Sequence, residues 1–190
     1  MEEYKPKIYF QIGGKDTGKS TFTLEFILAM FYAQGIPCLV LDIADQEIYA
    51  DFKRIELEEI EHFRPKGPRP FYRCQTTDVE GFLFAVNQSV RNCLVVLEDV
   101  TPHFTGTISR NKQNFILGTR NQGLDVLINA HNIALTSNFL WLHADILILR
   151  KTPENLTKIP DKTRVPAVIE KAMRQIHAEN ERKPIYNKYN

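Results

Sequence analysis

A short stretch near the amino end of the chain has the residue types and spacing of a phosphate-binding loop. Its members are Gly13, Gly14, Lys15, Asp16, Thr17, Gly18, Lys19 and Ser20, followed by Thr21. Two glycines bracket four residues, which lets the backbone curl until consecutive N–H groups face inward toward phosphate oxygens. Lys19 would reach the β- and γ-phosphates of a nucleoside triphosphate, and the Ser20 hydroxyl would bind its Mg²⁺. The pattern therefore predicts an ATP–Mg²⁺ site formed by these residues.

Two carboxylates follow an apolar run farther along the chain. Leu94–Leu97 is wholly apolar and is followed directly by Glu98 and Asp99. A strand beside a phosphate loop can present one acid to the Mg²⁺ shell and the next to the attacking water. By position, Glu98 is the expected metal ligand and Asp99 the expected catalytic base, although the sequence leaves open which of the two is the base. The alternative is a strand that stops at a polar turn, and the phosphate loop in the same chain favours the functional interpretation.

A third candidate group lies between Arg120 and His131. The pattern predicts a helix end that carries Arg120, a turn at Gly123, and a buried strand that finishes in Asn129 and His131. A polar residue at the carboxyl end of a strand can sense the γ-phosphate, because open α/β sheets bind ligands at that edge. The Arg120 guanidinium would stabilise phosphoryl-transfer charge at a neighbouring subunit's ATP. The alternatives are a solvated helix residue or a local salt bridge for Arg120, and a hydrogen-bonded core histidine for His131.

Short apolar runs that alternate with helical patterns are expected to position these residues. Such alternation is typical of a parallel sheet covered by helices, and 190 residues fit one such domain. The expected strands are residues 7–12, 37–43, 71–75, 93–98, 124–130 and 145–149. The expected helices are residues 19–34, 78–91, 109–122 and 135–141, with an acidic, partly helical stretch at 44–61 and a proline-rich loop at 62–70. Helix 19–34 is expected to be buried on several sides, because apolar residues cover most of its surface.

Charge divides the chain into two parts. The formal net charge is only +1, yet residues 151–190 carry nine Lys or Arg against five Asp or Glu. We therefore expect an ATPase domain over residues 1–150 and a basic, proline-containing tail over 151–190 with one helix near 168–181. A near-neutral total excludes a uniformly basic coat for nucleic acid but permits a basic pore or stripe.

Cysteine usage and hydropathy bear on location. Cys38, Cys74 and Cys93 are far apart and lack a metal-like pair spacing, which favours small buried thiols in a reducing interior. No apolar run approaches the roughly 18 residues of a membrane span. The expectation is a soluble, intracellular protein without a membrane span, and with no metal beyond the Mg²⁺ of the nucleotide.

From about residue 8 to residue 149, the chain resembles the FtsK–HerA superfamily of DNA-pumping ATPases, especially the small packaging ATPases of viruses and mobile elements. The resemblance rests on the phosphate loop, the acidic strand end, and an Arg-x-x-Gly before an apolar strand with a polar end. It implies a three-layer, RecA/ASCE-like P-loop α/β fold with a mainly parallel central sheet. It also implies that Arg120 is a finger acting in trans and that His131 stands at or near the sensor position. The chain departs from the family in having His for the sensor Gln and Glu–Asp for Asp–Glu.

The resemblance further implies a homo-oligomeric ring, a hexamer or pentamer, that moves double-stranded DNA in the cytoplasm of a host cell or in association with a virion. DNA would meet basic loops, and the tail would contact DNA, a neighbouring subunit, or a shell or portal protein of the virion. The loop candidates are Arg64, Lys66, Arg69, Arg110 and Lys112. The tail candidates are Lys162, Arg164, Lys171, Arg174, Arg182 and Lys183.

Two other functions use the same phosphate loop. A small-molecule or nucleotide kinase is disfavoured because it needs an arginine-rich lid and an acceptor pocket, although residues 64–73 resemble such a lid. A non-catalytic ATP-binding assembly switch is kept open by the inverted order of Glu98 and Asp99.

Overall fold

A computed structural model describes residues 5–65, 70–152 and 165–182. Within these ranges, seven parallel strands form one sheet in the order β3-β4-β2-β5-β6-β1-β7. The strands are β1 (Ile8–Ile12), β2 (Cys38–Leu41), β3 (Lys53–Arg54), β4 (Phe71–Cys74), β5 (Leu94–Leu97), β6 (Asp125–Ala130) and β7 (Ile146–Leu149). The helices are α1 (Lys19–Phe22), α2 (Ala29–Ala33), α3 (Val79–Ser89), α4 (Arg110–Gln122), α5 (Asn138–His143) and α6 (Pro166–Arg182).

Strand β6 lies between β1 and β5. The acidic strand β5 is therefore separated from the phosphate-loop strand β1 by one strand. In register, Ile12 of β1 pairs with Ala130 of β6, and Ile128 of β6 pairs with Leu97 of β5. Because all three strands are parallel, the residues that follow them meet at one edge of the sheet.

Both faces of the sheet are covered, as is usual for parallel sheets. The larger core lies on the face covered by α3, α4, α5 and α6, and the smaller core lies on the face covered by α2 and the segment before it. Side chains alternate between the two, since Phe10 belongs to the larger core and Tyr9 packs on the smaller one. The predicted three-layer α/β arrangement is confirmed.

The helix after the phosphate loop differs from its prediction. It is α-helical over Lys19–Phe22, π-helical over Thr23–Leu28 and α-helical again over Ala29–Ala33. It is not buried on several sides, because the described residues cover only the side that faces the sheet. The large apolar side chains on its outer side are exposed: Phe26, Met30 and Tyr32.

Other boundaries shift by a few residues. The short edge strand β3 falls inside the stretch that was expected to be partly helical. Helix α5 begins later than predicted, where the Ser137 side chain caps it by accepting from the N–H of Phe139. In the predicted tail, α6 packs on the larger core through Ile169 and Met173, which are both buried. No helix within the described ranges is long and apolar enough to cross a membrane.

Candidate nucleotide-binding site

The phosphate loop follows β1 and has the tight curvature that its glycines predict. Asp16 and Gly18 both have left-handed backbone conformations, with φ of 58° and 75°. Gly13 has no room for a side chain, because an added Cβ would lie 2.7 Å from Cβ of Arg150 and 2.8 Å from Oγ1 of Thr17. The loop is therefore pressed against the end of β7, and this close approach requires glycine at position 13.

The side chain of Lys19 lies inside the phosphate loop and binds its backbone. Its ammonium group donates to the carbonyl oxygens of Gly13 and Gly14, each at 2.9 Å, and lies 2.9 Å from Nδ1 of His131. An ammonium group has donors only, so Nδ1 of His131 accepts and the ring proton resides on Nε2. The contact thus fixes the tautomer of the histidine.

His131 in turn joins Lys19 to Asp99. Nε2 of His131 lies 2.5 Å from Oδ1 of Asp99, and both side chains are about one-third exposed, at 36% and 34%. Burial lowers the pKa of Lys19, and the carboxylates of Asp99 and Glu98 oppose that shift. A continuous line of contacts therefore runs from the loop lysine through the imidazole to a carboxylate that solvent can reach.

Glu98 points away from solvent, on the face of the sheet that carries α1. One of its oxygens, Oε1, accepts from the Tyr49 hydroxyl and from Nδ2 of Asn129 at 2.8 Å. The other, Oε2, is buried without a hydrogen-bond partner among the described residues. Burial raises the pKa of Glu98 to about 7, while the hydrogen bond from Tyr49 opposes the shift. The carboxyl group of Glu98 is therefore held in one orientation, and its Oε2 is left to accept a further contact.

The segment after β2 contacts both predicted metal ligands. The Ser20 hydroxyl donates to Oε1 of Gln46 at 3.0 Å, and Tyr49, three residues farther on, donates to Glu98. Gln46 is itself fixed by its N–H, which donates to the carboxylate of the buried Asp42 at 3.0 and 3.1 Å. Gln46 and Tyr49 were not predicted from the sequence. The signal for them was Asp42, a carboxylate at the carboxyl end of a buried strand.

Arg150 is a second cation at the loop, and the sequence analysis also missed it. Its Nη1 donates to the Thr17 carbonyl at 3.0 Å, and its guanidinium carbon lies 4.8 Å from the centre of the Phe22 ring. The next residue also contacts the loop, because the N–H of Gly14 donates to the Lys151 carbonyl at 2.7 Å. The signal was the position of Arg150 directly after the last strand, which pairs with β1.

Arg120 lies at the end of the sheet where the strands begin, whereas the phosphate loop lies at the end where they finish. Its guanidinium is 2.5 Å from Oδ1 of Asp145, and its side chain is 63% exposed. Asp145 also accepts from the N–H of Ile8, the first residue of β1, whereas Lys19 follows the other end of that strand. A five-residue strand spans roughly 16 Å. The structure therefore does not bring Arg120 to the phosphate loop of its own chain.

The basic candidates for DNA contact are scattered. Arg110 is exposed at the start of α4, whereas Lys112 pairs with Glu80 at 2.8 Å and its side chain is only 12% exposed. On α6, Lys171 is exposed and Arg174 pairs with Glu170. Arg64 donates to the neighbouring carbonyl, and Arg182 ends α6. The remaining candidates lie outside the described residues: Lys66, Arg69, Lys162, Arg164 and Lys183.

The strand order and the loop define the fold class. A phosphate loop after β1, an acidic end on β5 and one strand between them make this a three-layer P-loop α/β fold of the RecA/ASCE-like type. No family model and no curated protein sequence matches the chain. Solved structures do match, and they include viral genome-packaging enzymes.

One match is the genome packaging NTPase B204 from Sulfolobus turreted icosahedral virus 2 in complex with AMPPCP, with a TM-score of 0.75 and 16% identity over 90% of this chain and 87% of that chain. The complex of the same protein with ATP-γS has a TM-score of 0.73 and 16% identity, over 88% of this chain and 86% of that one. B204, the DNA-packaging ATPase from Sulfolobus turreted icosahedral virus, has a TM-score of 0.69 and 14% identity, over 90% and 89% of the two chains. At 14% to 16% identity, these structures show that the chain shares their fold, and the resemblance expected from the sequence is confirmed at the level of the fold.

Proposed function

We propose that this chain is an ATP-hydrolysing DNA translocase that packages a viral genome as a homo-oligomeric ring. The observation that carries the proposal is the line of contacts from Lys19 through His131 to Asp99. It links the lysine that would hold the γ-phosphate to the carboxylate that would take a proton from water. The match to solved genome-packaging NTPases over most of both chains supports the packaging role.

The residues present fit ATP–Mg²⁺. The curled loop offers N–H donors, Lys19 offers a cation, and the Ser20 hydroxyl and the free oxygen of Glu98 are ligands that Mg²⁺ prefers. The bound ion would neutralise phosphate charge. In this structure the Ser20 hydroxyl donates its proton to Gln46, which leaves the lone pairs of its oxygen for the metal.

The position of Arg120 supports the proposal of a ring. A guanidinium that is 63% exposed at the amino edge of the sheet cannot serve its own site, and it is available to the site of a neighbouring subunit. Double-stranded DNA is the proposed substrate. The basic residues of α6 are proposed to contact DNA, a neighbouring subunit or a virion protein. The proposal places the protein in the host cytoplasm or with the virion.

A nucleotide-binding assembly switch without turnover is the second candidate. Asp99 is already engaged by His131 at 2.5 Å, so it could accept a proton from water only through its second oxygen or after His131 moves. The observation that favours this candidate is the order Glu98–Asp99, the reverse of the usual Asp–Glu.

Steady-state ATP hydrolysis with and without double-stranded DNA tests the proposal, with Lys19→Ala as the blank. The translocase predicts strong stimulation by DNA that declines as salt is added, since the contacts are made to phosphates. Wild-type hydrolysis as slow as the blank, with ATP still bound, would favour the switch. Hydrolysis that is faster than the blank but does not change when DNA is added would contradict translocation by the isolated chain.

A further inference from the structure

The segment that follows β2 brings two residues to the expected Mg²⁺ ligands. One turn of 3₁₀ helix, Glu47–Tyr49, comes directly after Gln46, and the N–H of Tyr49 donates to the Gln46 carbonyl at 3.1 Å. Residues three apart in such a turn lie on the same side, so Gln46 and Tyr49 face the same end of the sheet. Gln46 contacts Ser20 there, and Tyr49 contacts Glu98.

The place of Gln46 is set by charged groups behind it. Its N–H donates to both carboxylate oxygens of the buried Asp42, at 3.0 and 3.1 Å. Nη1 of Arg73, on the neighbouring strand β4, lies 3.5 Å from Oδ2 of Asp42 and 2.9 Å from Oδ1 of Asp45. Hydrogen bonds to a charged carboxylate are among the stronger ones in proteins. Gln46 is therefore anchored through its backbone, which leaves its side-chain amide for the contact with Ser20.

The direction of the Ser20 hydroxyl decides where its lone pairs point. In this structure its proton is donated to Oε1 of Gln46 at 3.0 Å. A hydroxyl has one proton and two lone pairs, so an acceptor on one side leaves the lone pairs for a cation on the other. Mg²⁺ needs this order, because it binds at short distances in nearly ideal octahedral geometry. Without an acceptor at position 46, the hydroxyl can rotate and turn its proton toward the ion.

We propose that Gln46 is a positioning residue for the Mg²⁺ of the bound nucleotide and that it acts through the hydroxyl of Ser20. The proposal rests on the nucleotide site proposed above, and it names a residue that sets the affinity of this site for the metal rather than for phosphate. Replacement of a residue that orients a metal ligand typically lowers metal affinity by about 10- to 100-fold.

Equilibrium binding of AMPPCP, an ATP analogue with a methylene group between its β and γ phosphorus atoms, measures this role in the full-length protein. Titration calorimetry is carried out once in excess Mg²⁺ and once in EDTA, and the ratio of the two affinities gives the contribution of the metal. Gln46→Leu removes the acceptor, whereas Gln46→Glu keeps an acceptor of the same reach. Gln34→Leu is the matched control, because Gln34 is exposed directly after α2.

In Gln46→Leu the ratio is expected to fall about 10-fold, while the affinity in EDTA stays within about twofold of wild type. Gln46→Glu should keep the ratio at or above the wild-type value, since a carboxylate accepts the same hydroxyl proton and also attracts the cation. The control should match wild type in both conditions. If Gln46→Leu melts early, Gln46→Met takes its place.

A double-mutant cycle tests whether Gln46 acts through Ser20. In Ser20→Ala the hydroxyl is absent, so Gln46→Leu should lower the ratio little further in this background. A fall as large as in the wild-type background would overturn the proposal.

Equal weakening with and without Mg²⁺ would also overturn it, because Gln46 would then only support the loop. So would an unchanged ratio in Gln46→Leu, or a loss in Gln46→Glu as large as in Gln46→Leu. These measurements involve neither DNA nor turnover. A failure of DNA-stimulated hydrolysis would therefore count against the translocase and not against the role of Gln46.

Discussion

Nε2 of His131 lies 2.5 Å from Oδ1 of Asp99, at the edge where β5 and β6 end. The other ring nitrogen accepts from Lys19, so the imidazole is fixed from both sides. A carboxylate whose orientation is set in this way can align one lone pair with an attacking water. His131 is thus a positioning residue for Asp99, and its contact with Lys19 makes that position depend on the state of the phosphate loop.

Replacement of His131 should slow hydrolysis without loss of nucleotide. In His131→Ala, Asp99 and Lys19 lose their common partner, and we expect kcat to fall by about 10²-fold. His131→Gln keeps an acceptor and a donor and should retain more activity than the alanine variant. Steady-state kinetics together with ATP binding would measure this, and a fall in binding as large as the fall in kcat would contradict a positioning role.

Glu98 should make the stability of the free protein depend on pH. Its pKa is about 7 in the folded protein against an ordinary value of 4.5, so the native state holds the proton more tightly. Between these values the folded state binds more protons than the unfolded chain, and the free energy of unfolding falls as pH rises. The stabilising contribution is complete below about 4.5 and is lost by about 7.

Glu98→Gln has no such titration and is therefore expected to gain stability relative to wild type as pH rises from 5 to 8. The gain should be on the order of 3 kcal/mol at most, since each pKa unit corresponds to about 1.4 kcal/mol. Urea unfolding of both proteins without nucleotide or metal would measure it. A difference between the two proteins that stays constant with pH would show that Glu98 does not titrate in this range.

Removal of the Tyr49 hydroxyl should shift the pH dependence of hydrolysis. The hydroxyl donates to Glu98 and opposes the rise in its pKa, so in Tyr49→Phe the carboxyl group keeps its proton to higher pH. We expect the acidic limb of the pH–rate profile to move upward by about one pH unit, since hydrogen bonds to charged groups are among the stronger ones. Tyr32→Phe is the control, because Tyr32 is exposed on α2. Coincident profiles for all three proteins would contradict a role for Tyr49.

The parts of the site that follow a local rule could be predicted from the sequence. Spacing alone identified the loop that ends in Lys19 and Ser20, and an apolar run followed by acids identified Glu98 and Asp99. His131 was predicted because it follows a buried strand. The structure brings these residues to one edge because parallel strands end at the same edge whatever their order.

The contributions that depend on strand order could not be predicted in this way. Arg150 reaches the loop only because β7 pairs with β1, and Tyr49 reaches Glu98 only because β2 pairs with β5. The local signals, Asp42 after β2 and Arg150 after β7, do not tell which strands are neighbours. The burial of the helix after the loop was overestimated because a local apolar pattern does not tell what packs against it. Its apolar outer residues, such as Phe26, have no covering layer in the described part of the chain.

The ion pair between Arg120 and Asp145 is exposed on the arginine side and should contribute only about 0–1 kcal/mol to stability. Arg120→Ala should therefore fold and bind ATP as wild type does, yet its DNA-stimulated hydrolysis should fall by about 10³-fold if the guanidinium acts on a neighbour's phosphate. A mixture with Lys19→Ala subunits should recover part of the activity, because those subunits have a dead site but an intact Arg120. Arg54→Ala, which breaks a similarly exposed pair with Glu56, is the control. Equal losses in both variants, or no recovery in the mixture, would show that Arg120 does not act in trans.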